Sequence, residues 1–365
     1  MCPKSELSSS INEYQFSGNL FIFHAFDIGD DINLEKIEKS SKVTPLSVSL
    51  PKYFKKYHTP VAIQLPKPET SPACISCKVH SFGAVSLTYK IPFKDTLENL
   101  KRDLERLDFQ YQEQSLADVR SVFDVIQGYI AQPKFFQTKS SYVVIQINPE
   151  PDVINISELK NACGGIIASA LRFETKVLSE YQKNEILDSA TGYFRGDLII
   201  IDSDAAFVYD EEYEDHLDIF EFANIQLLEL RYFDRVLDQN LNLIYEGKAL
   251  KLPIRAFIPI GDLFVRDPLP GLGKLKADIS VIVERLEDSI KIAGQPYLSE
   301  LYTLLQERLD IKNWYTSIDR KLAIIRDIQV VYQHKTEVIR ENILSLLIVI
   351  LIFIELMVGI LSYFK

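Results

Sequence analysis

Cys74-Ile75-Ser76-Cys77, with His80 three residues beyond, has the spacing of a zinc or redox pair. Tetrahedral zinc takes four ligands, and only Cys163 or a distant histidine is left to complete the set. Redox chemistry would put the pair at a helix N-terminus, where a thiol pKa falls. Here the pair sits in a β-rich run, where the two side chains do not share a simple face. Structural thiols are expected, with Cys74, Cys77 and His80 as the metal candidates and no cofactor assigned. A second polar group runs through Arg195, Asp197, Asp202 and Asp204, and Arg231 follows on a patterned helix. Gathered in a cleft with shifted pKa values, these five would line a ligand pocket. Asp202, Asp204 and the acidic run from Asp210 to Asp215 can attract a divalent cation, but an EF-hand needs Gly where Phe207 stands. A solvated acidic turn is the expectation. Gly271-Leu272-Gly273-Lys274 fails as a phosphate loop, because Pro268 replaces its first Gly and Leu275 its Ser/Thr. The histidines at 24, 58, 80, 216 and 334 form no HExxH and no triad order, so no catalytic residue is assigned.

The elements that carry these residues read as α+β. Asn19–Phe26 is rich in β-formers, and a short helix capped by Asp30 or Asp31 follows it. Val61–Leu65 reads as a strand, and Cys74–Val79 with Ala84–Ile91 as a hairpin. Helices are expected over Phe93–Asp108 and Leu116–Tyr129. Ser141–Ile147 is a strand that Pro149 and Pro151 end, and one long helix is expected from Ile156 to Asp188. Leu198–Ile201 and Ala205–Tyr209 form a second hairpin. An acidic linker, Asp210–Asp218, leads into a helix from Ile219 to Tyr245. Both halves then read strand, helix, hairpin, helix, an order consistent with duplication of one α+β unit. The divisions are a mobile segment 1–17, a body 18–250, a Pro/Gly-rich connection 251–275, a helical stalk 276–342 and a membrane helix 343–364.

The chain has 365 residues, 47% hydrophobic and 25% charged, with a net charge of −11. That balance excludes a disordered chain and a disulfide scaffold. It also argues against direct nucleic-acid binding, since an acidic chain repels phosphate. The first residues, MCPKSELSSSINEYQ, contain no apolar signal core, so the body is expected in reducing cytoplasm with free thiols.

Ile343–Phe364 is apolar on every face apart from Glu355. Its 22 residues span about 33 Å as a helix, enough for a hydrocarbon core of about 30 Å. The lipid bilayer is therefore an expected partner. Lys335 and Arg340 at the near end favour a body on the cytoplasmic side of the inner (cytoplasmic) membrane. Glu355, near the middle of the span, is either tolerated in protonated form or faces another helix. Upstream, Ile311, Ile318, Ile325, Tyr332 and Ile339 recur every seven residues, with Trp314 and Ile328 at d and Lys321 and Lys335 interrupting the d row. This is the pattern of an amphipathic stalk that packs as a hairpin or an oligomeric bundle. Ile318, Ile325, Tyr332, Ile339 and Glu355 are the expected oligomerisation or membrane-partner residues.

Several stretches in their order, HSFGAVSLTY, YFRGDLIIIDSDAAFVYD, LLELRYFDRVLD, ELYTLLQERLDIKNWYTSIDRKL and a terminal apolar helix with one Glu, resemble the "required for meiotic nuclear division" (Rmd/YagE-like) family. Leu309-Asp310-Ile311 and Glu355 are the most suggestive matches, and the HSFGA strand departs from the aromatic, Val-rich form of that family. The resemblance implies a membrane-anchored protein without established catalysis. Mitochondrial relatives are associated with organelle translation near the inner membrane, and no active-site residue carries over. The first reading is a non-enzymatic, homo-oligomeric scaffold or tether, with a further protein partner in the membrane or cytoplasm. The alternatives are an enzyme or ligand-binding module with a site between the α+β units, and a metal or redox sensor at Cys74 and Cys77.

Overall fold

Nearly every side chain of β1, Phe16–Asp27, is buried, which explains its almost continuous apolar run: a central strand covered on both faces needs no alternation. In the computed structural model, residues 13–46, 59–135, 139–150, 155–245, 273, 276–277, 279–281 and 296–363 are described. Cys2, the 251–272 part of the connection and most of the helix read from Ala277 to Ile292 lie outside them.

The described residues divide into two compact units. The first, up to Tyr232 together with 296–313, contains an eight-stranded sheet. Besides β1 its strands are β2 (Pro45–Leu46), β3 (Val61–Ile63), β4 (Cys74–Val79), β5 (Ala84–Asp95), β6 (Lys139–Ile147), β7 (Leu198–Ile201) and β8 (Ala205–Tyr209). Their order is β2-β3-β4-β5-β1-β6-β8-β7, antiparallel throughout except for the parallel pair β6/β8.

The helices are α1 (Leu34–Glu38), α2 (Leu97–Ile126), α3 (Ile156–Leu171), α4 (Glu180–Leu187), α5 (Glu214–Tyr245), α6 (Pro296–Arg308) and α7 (Ile311–Tyr363). Side-chain caps start several of them; α1 is capped not by Asp30 or Asp31, as expected, but by Asn33, whose Oδ1 accepts from the Lys36 N–H at 3.0 Å. Thr96 Oγ1 accepts from the Asn99 N–H at 3.2 Å, Asn155 Oδ1 from Ser157 at 2.8 Å and Ser179 Oγ from Gln182 at 3.3 Å. On one sheet face, Leu20, Ile22, Phe26, Leu87, Val143 and Phe207 form a core with Leu104 and Val122 of α2 and Leu159 and Ile167 of α3. The opposite face meets α5: the Tyr142 and Phe220 rings stack at 5.5 Å, and the Asn224 amide donates to the Ser140 carbonyl at 3.3 Å.

The mixed α+β class agrees with the sequence reading, but several boundaries change. Residues 93–129 carry one 30-residue helix, α2, where two were expected, and β5 runs on to Asp95. No Gly or Pro interrupts 109–115, so the polar stretch between the two apolar patterns continues the helix. Conversely, the expected helix 156–188 breaks into α3 and α4. Phe173 adopts φ 54°, and the Ser169 carbonyl accepts from both Arg172 and Glu174, a left-handed C-terminal stop built without glycine. The acidic linker is partly helical: Glu214 and Asp215 lie in the first turn of α5, where negative charge is favourable. The two halves differ in element order, since β2 and β3 precede the first hairpin where α3 and α4 precede the second, and β1 pairs β5 antiparallel while β6 pairs β8 parallel, so the corresponding strands do not superimpose in polarity.

The second unit takes Phe233 to Tyr245 and Trp314 to Tyr363 among the described residues. Here Lys321 is paired to Asp234 at 2.7 Å and to Asp238 at 2.6 Å, and Ser317 Oγ donates to Asp234 at 2.7 Å. The lysine that interrupts the heptad d row therefore ties α7 to α5. Ile318 and Ile325 are fully buried within this single chain, as is Leu237, and Leu241 is nearly so. Their burial is thus complete without a second copy. Tyr332 and Ile339 are half-buried, and from Leu344 to Leu361 the apolar side chains are exposed, as is Glu355. This stretch of α7 is long and apolar enough to cross a membrane, with a mean hydropathy of 3.0 over its most apolar window.

Candidate functional site

The parallel strands β6 and β8 run side by side, and just beyond their carboxyl ends lies a cavity of about 560 Å³. Open sheets commonly bind ligands at that end, where chain connections diverge. Four segments of the first unit line it: Pro149 after β6, the 193–197 loop before β7, the 210–216 connection into α5, and Pro296–Leu298 at the start of α6.

The 192–197 loop is a tight knot. Thr191 and Ile199 exchange backbone hydrogen bonds at 2.8 Å in both directions. Asp197 Oδ2 accepts from the Phe194 N–H at 2.9 Å, and the Asp197 N–H returns to the Phe194 carbonyl at 3.2 Å. A Cβ on Gly192 would come within 2.4 Å of the Asp197 carbonyl oxygen, so glycine is required for this closure. The knot pushes Tyr193 and Phe194 outward, 62% and 67% exposed, against the cavity. The Tyr193 ring lies 4.7 Å from Phe194 and 4.9 Å from Tyr297 of α6.

His216 and Asp210 form the floor, 4% and 7% exposed. Asp210 Oδ1 accepts from the Glu212 N–H at 2.9 Å, and Asp210 Oδ2 stands 3.6 Å from His216 Nδ1, too far for a good hydrogen bond. Burial holds the His216 imidazole below its usual range, even with Asp210, Asp215, Asp197 and Glu214 around it. Burial also pushes the Asp210 carboxyl up, against the pull of the Glu212 N–H. The His216 ring meets the Tyr297 ring edge-on at 5.6 Å, and the buried His216 Nδ1 and Tyr297 Oη have no hydrogen-bond partner.

Of the five pocket candidates from sequence, only Asp197 lines this cavity. Arg195, two residues earlier, is exposed. Asp202 is 1% exposed and ion-paired to Arg172; its backbone carbonyl accepts from Tyr142 Oη at 3.0 Å. Burial raises its carboxyl against the pull of Arg172, so Asp202 anchors the β7–β8 turn. Asp204 is exposed and bonded to Ser203 Oγ at 2.7 Å, and Arg231 is exposed on α5. The hairpin separates Asp202 and Asp204 from Asp197 by the length of β7. Sequence reading missed His216, Asp210 and Tyr297 as partners of one site. Its available signal was the exposed aromatic pair in Gly-Tyr-Phe-Arg-Gly-Asp, whose flanking glycines mark a turn.

The cysteine pair behaves differently from its sequence reading. A β-bulge between Cys74 and Ser76 shifts the register, so that Cys74 sits opposite Tyr89 and Cys77 opposite Leu87. Both thiols thereby face the α2 side, where Tyr89 Oη donates to Asp118 at 2.7 Å. His80 belongs to the opposite face with Lys78 and Glu221, whose charges act on it. The strand pleat therefore divides the three metal candidates between two faces. Among the described residues no group of three His, Cys, Asp or Glu side chains could hold a metal ion. Burial pushes the Cys74 thiol up to about 12, and Cys77 well above its usual value.

The fold and cavity define an α+β protein with a cleft at the sheet end and, among the described residues, one helix long and apolar enough to cross a membrane. Residues 17–216 match the family described as "Uncharacterized protein MJ0711, N-terminal domain", and the chain belongs to that family. A relative, "Uncharacterized protein MJ0711" of Methanocaldococcus jannaschii, is 25% identical over 262 residues, covering 69% of this chain and 74% of its own length. No solved structure matches.

Proposed function

We propose that the protein is a membrane-anchored, non-catalytic scaffold or tether, with its α+β body on the cytoplasmic face of the inner membrane and α7 as the anchor. The observation that carries this reading is the end of α7: from Leu344 to Leu361 its apolar side chains are exposed in a helix that continues unbroken from Ile311. About 20 apolar residues in such a helix have a lower free energy in hydrocarbon than in water. Lys335 and Arg340 flank the span on the body side and favour retention of that side in the cytoplasm. The ordered stretches of sequence, Leu309-Asp310-Ile311 among them, are what supports placing this chain near the "required for meiotic nuclear division" (Rmd/YagE-like) proteins. Membrane fractionation tests the anchor: the full chain should resist alkaline carbonate extraction, and a chain ending at Glu341 should be released. Release of the full chain by carbonate overturns the reading. Light scattering in detergent then tests assembly: Glu355→Leu should leave insertion intact and reduce the oligomer. An unchanged mass sinks the role given to Glu355.

A further inference from the structure

We propose that α7 carries a second contact face, distinct from the row buried within the chain, along which it pairs in parallel with α7 of a second copy of this chain. The proposal rests on the anchor reading above and names the face and the partner.

The heptad row of Ile318 and Ile325 is used up inside one chain, since both are 0% exposed. One residue earlier, about 100° around the helix, runs another row. It holds Val331, Val338, Ser345, Ile352 and Gly359, again seven residues apart. In the aqueous stretch between Ile325 and the span, Val331 and Val338 are 63% and 41% exposed, with Val330 beside them at 58%. Apolar side chains lined up on one stripe of a helix in water gain free energy when another surface covers them.

Within 343–364 the surroundings invert, and the stripe inverts with them. Apart from Tyr363 near the end, the small or polar residues there are Ser345, Glu355, Gly359 and Ser362. Ser345 and Gly359 lie on the row of the valines. Glu355 and Ser362 follow Ile352 and Gly359 by three residues, which is the d row of the same heptads. All four therefore share one side of α7, and large apolar residues fill the rest. In hydrocarbon this is the side that packs against protein: small residues let backbones approach, and a carboxyl finds its partner there rather than in lipid. A Cβ on Gly359 would meet nothing within 4 Å, so the fold of the single chain does not require that glycine. The Ser362 hydroxyl donates to the Gly359 carbonyl at 2.8 Å, which leaves Glu355 as the strongest polar group on the stripe. Two environments thus mark the same side of one helix by opposite chemistry.

That continuity selects a second copy. A different membrane protein would have to match apolar contacts in water and polar contacts at one depth in lipid. Copies of this chain insert with the same orientation, so a second α7 brings its own valines, Glu355 and Gly359 to the same heights. Facing carboxyl groups can hold a proton between them, and a heptad row stays on the contact when two helices wrap left-handed. His334 and Glu341 occupy the d row in water, so the aqueous contact is narrow and centred on the valines.

Disulfide cross-linking of the full chain in cell membranes, washed with alkaline carbonate, tests this. Val331→Cys, Val338→Cys, Ser345→Cys and Ile352→Cys are made singly in a Cys2→Ser chain, which keeps its other cysteines and sets the background. Copper phenanthroline should convert each to a product of twice the chain mass, severalfold above background. Gln333→Cys, Leu347→Cys and Ile354→Cys, each two residues on and so about 200° around the helix, should stay at background. Gly359→Leu should cut the Ile352→Cys product severalfold, and Met357→Leu, on the far side, should leave it unchanged. Loss of the chain from washed membranes overturns the anchor reading and this proposal with it. With the chain retained, three results overturn the pairing alone: equal products on both sides, no product above background, or a product of another mass, which identifies a different partner.

Discussion

Replacing Asp27 with Asn should stabilise the protein at pH 8 and leave it nearly unchanged at pH 4. Asp27 ends β1 at 2% exposure, and its Oδ1 accepts from the Gly29 N–H at 3.0 Å. Glu229 of α5 is 1% exposed, its Oε1 has no hydrogen-bond partner, and the charges of Asp27 and Asp30 act on it. Burial first, then Asp30, pushes the Asp27 carboxyl up to about 7, while the Gly29 N–H and Lys134 pull the other way. Burial also raises Glu229, and Asp27 adds to that rise. Between the unfolded value, 3.8, and the folded value near 7, the native state holds a proton that the unfolded chain releases. Stability is therefore fully present below about pH 4 and is lost as pH rises through about 7. A shift of about three units at about 1.36 kcal/mol each gives a loss of about 4 kcal/mol. Asn keeps the acceptor for Gly29 without the titration. Urea unfolding of the full chain in detergent at pH 5, 6, 7 and 8, followed by far-ultraviolet circular dichroism, reads the difference. The gain in Asp27→Asn should grow with pH and level off above about 7. Adding Glu229→Gln should contribute less than it does alone, because each charge raises the other. A gain that is absent at pH 8, or equal at pH 5 and pH 8, refutes the reasoning.

Lys78 is held by Glu221 at 2.6 Å and Asp218 at 2.9 Å, and Glu221 is 4% exposed. Lys78→Met should cost about 3–5 kcal/mol in urea unfolding by leaving a buried carboxylate uncompensated, and Lys78→Met/Glu221→Leu should recover most of it. The Cys74 thiol, raised from 9.0 to about 12, should carry about a thousandfold less thiolate than an ordinary cysteine. Peptide mapping after iodoacetamide treatment at pH 8 should show Cys74 and Cys77 protected in the folded protein and alkylated in urea. Rapid labelling of either in the folded state would contradict the buried-thiol account.

Local pattern made part of this protein legible. The apolar run from Ile343 is a matter of length and composition, and α7 continues through it. The β4–β5 and β7–β8 hairpins follow from β-formers on either side of short polar turns. The helix breaks were less legible. The stop at Phe173 comes from backbone closure onto the Ser169 carbonyl, for which the sequence carries no Gly or Pro signal. The heptad at Ile318 and Ile325 was visible, but a seven-residue repeat does not say which helix covers it. Asp234 and Asp238, more than 80 residues upstream of Lys321, supply that answer within the same chain.

The cysteine pair and the cavity mark the limit most sharply. A two-residue side-chain period puts Cys74 and Cys77 on opposite faces, and a single bulge reverses this. Asp197 could be named from its neighbours in sequence. Its association with Asp210, His216 and Tyr297 required the sheet to seat β6 beside β8 and to bring the start of α6 to their ends. The sequence by itself determined most of the strands and the membrane-length helix, because those depend on residues within a few turns of one another. The tertiary structure alone decided which polar groups share a cavity and which thiols share a face, because those depend on strand register and on contacts across a hundred residues.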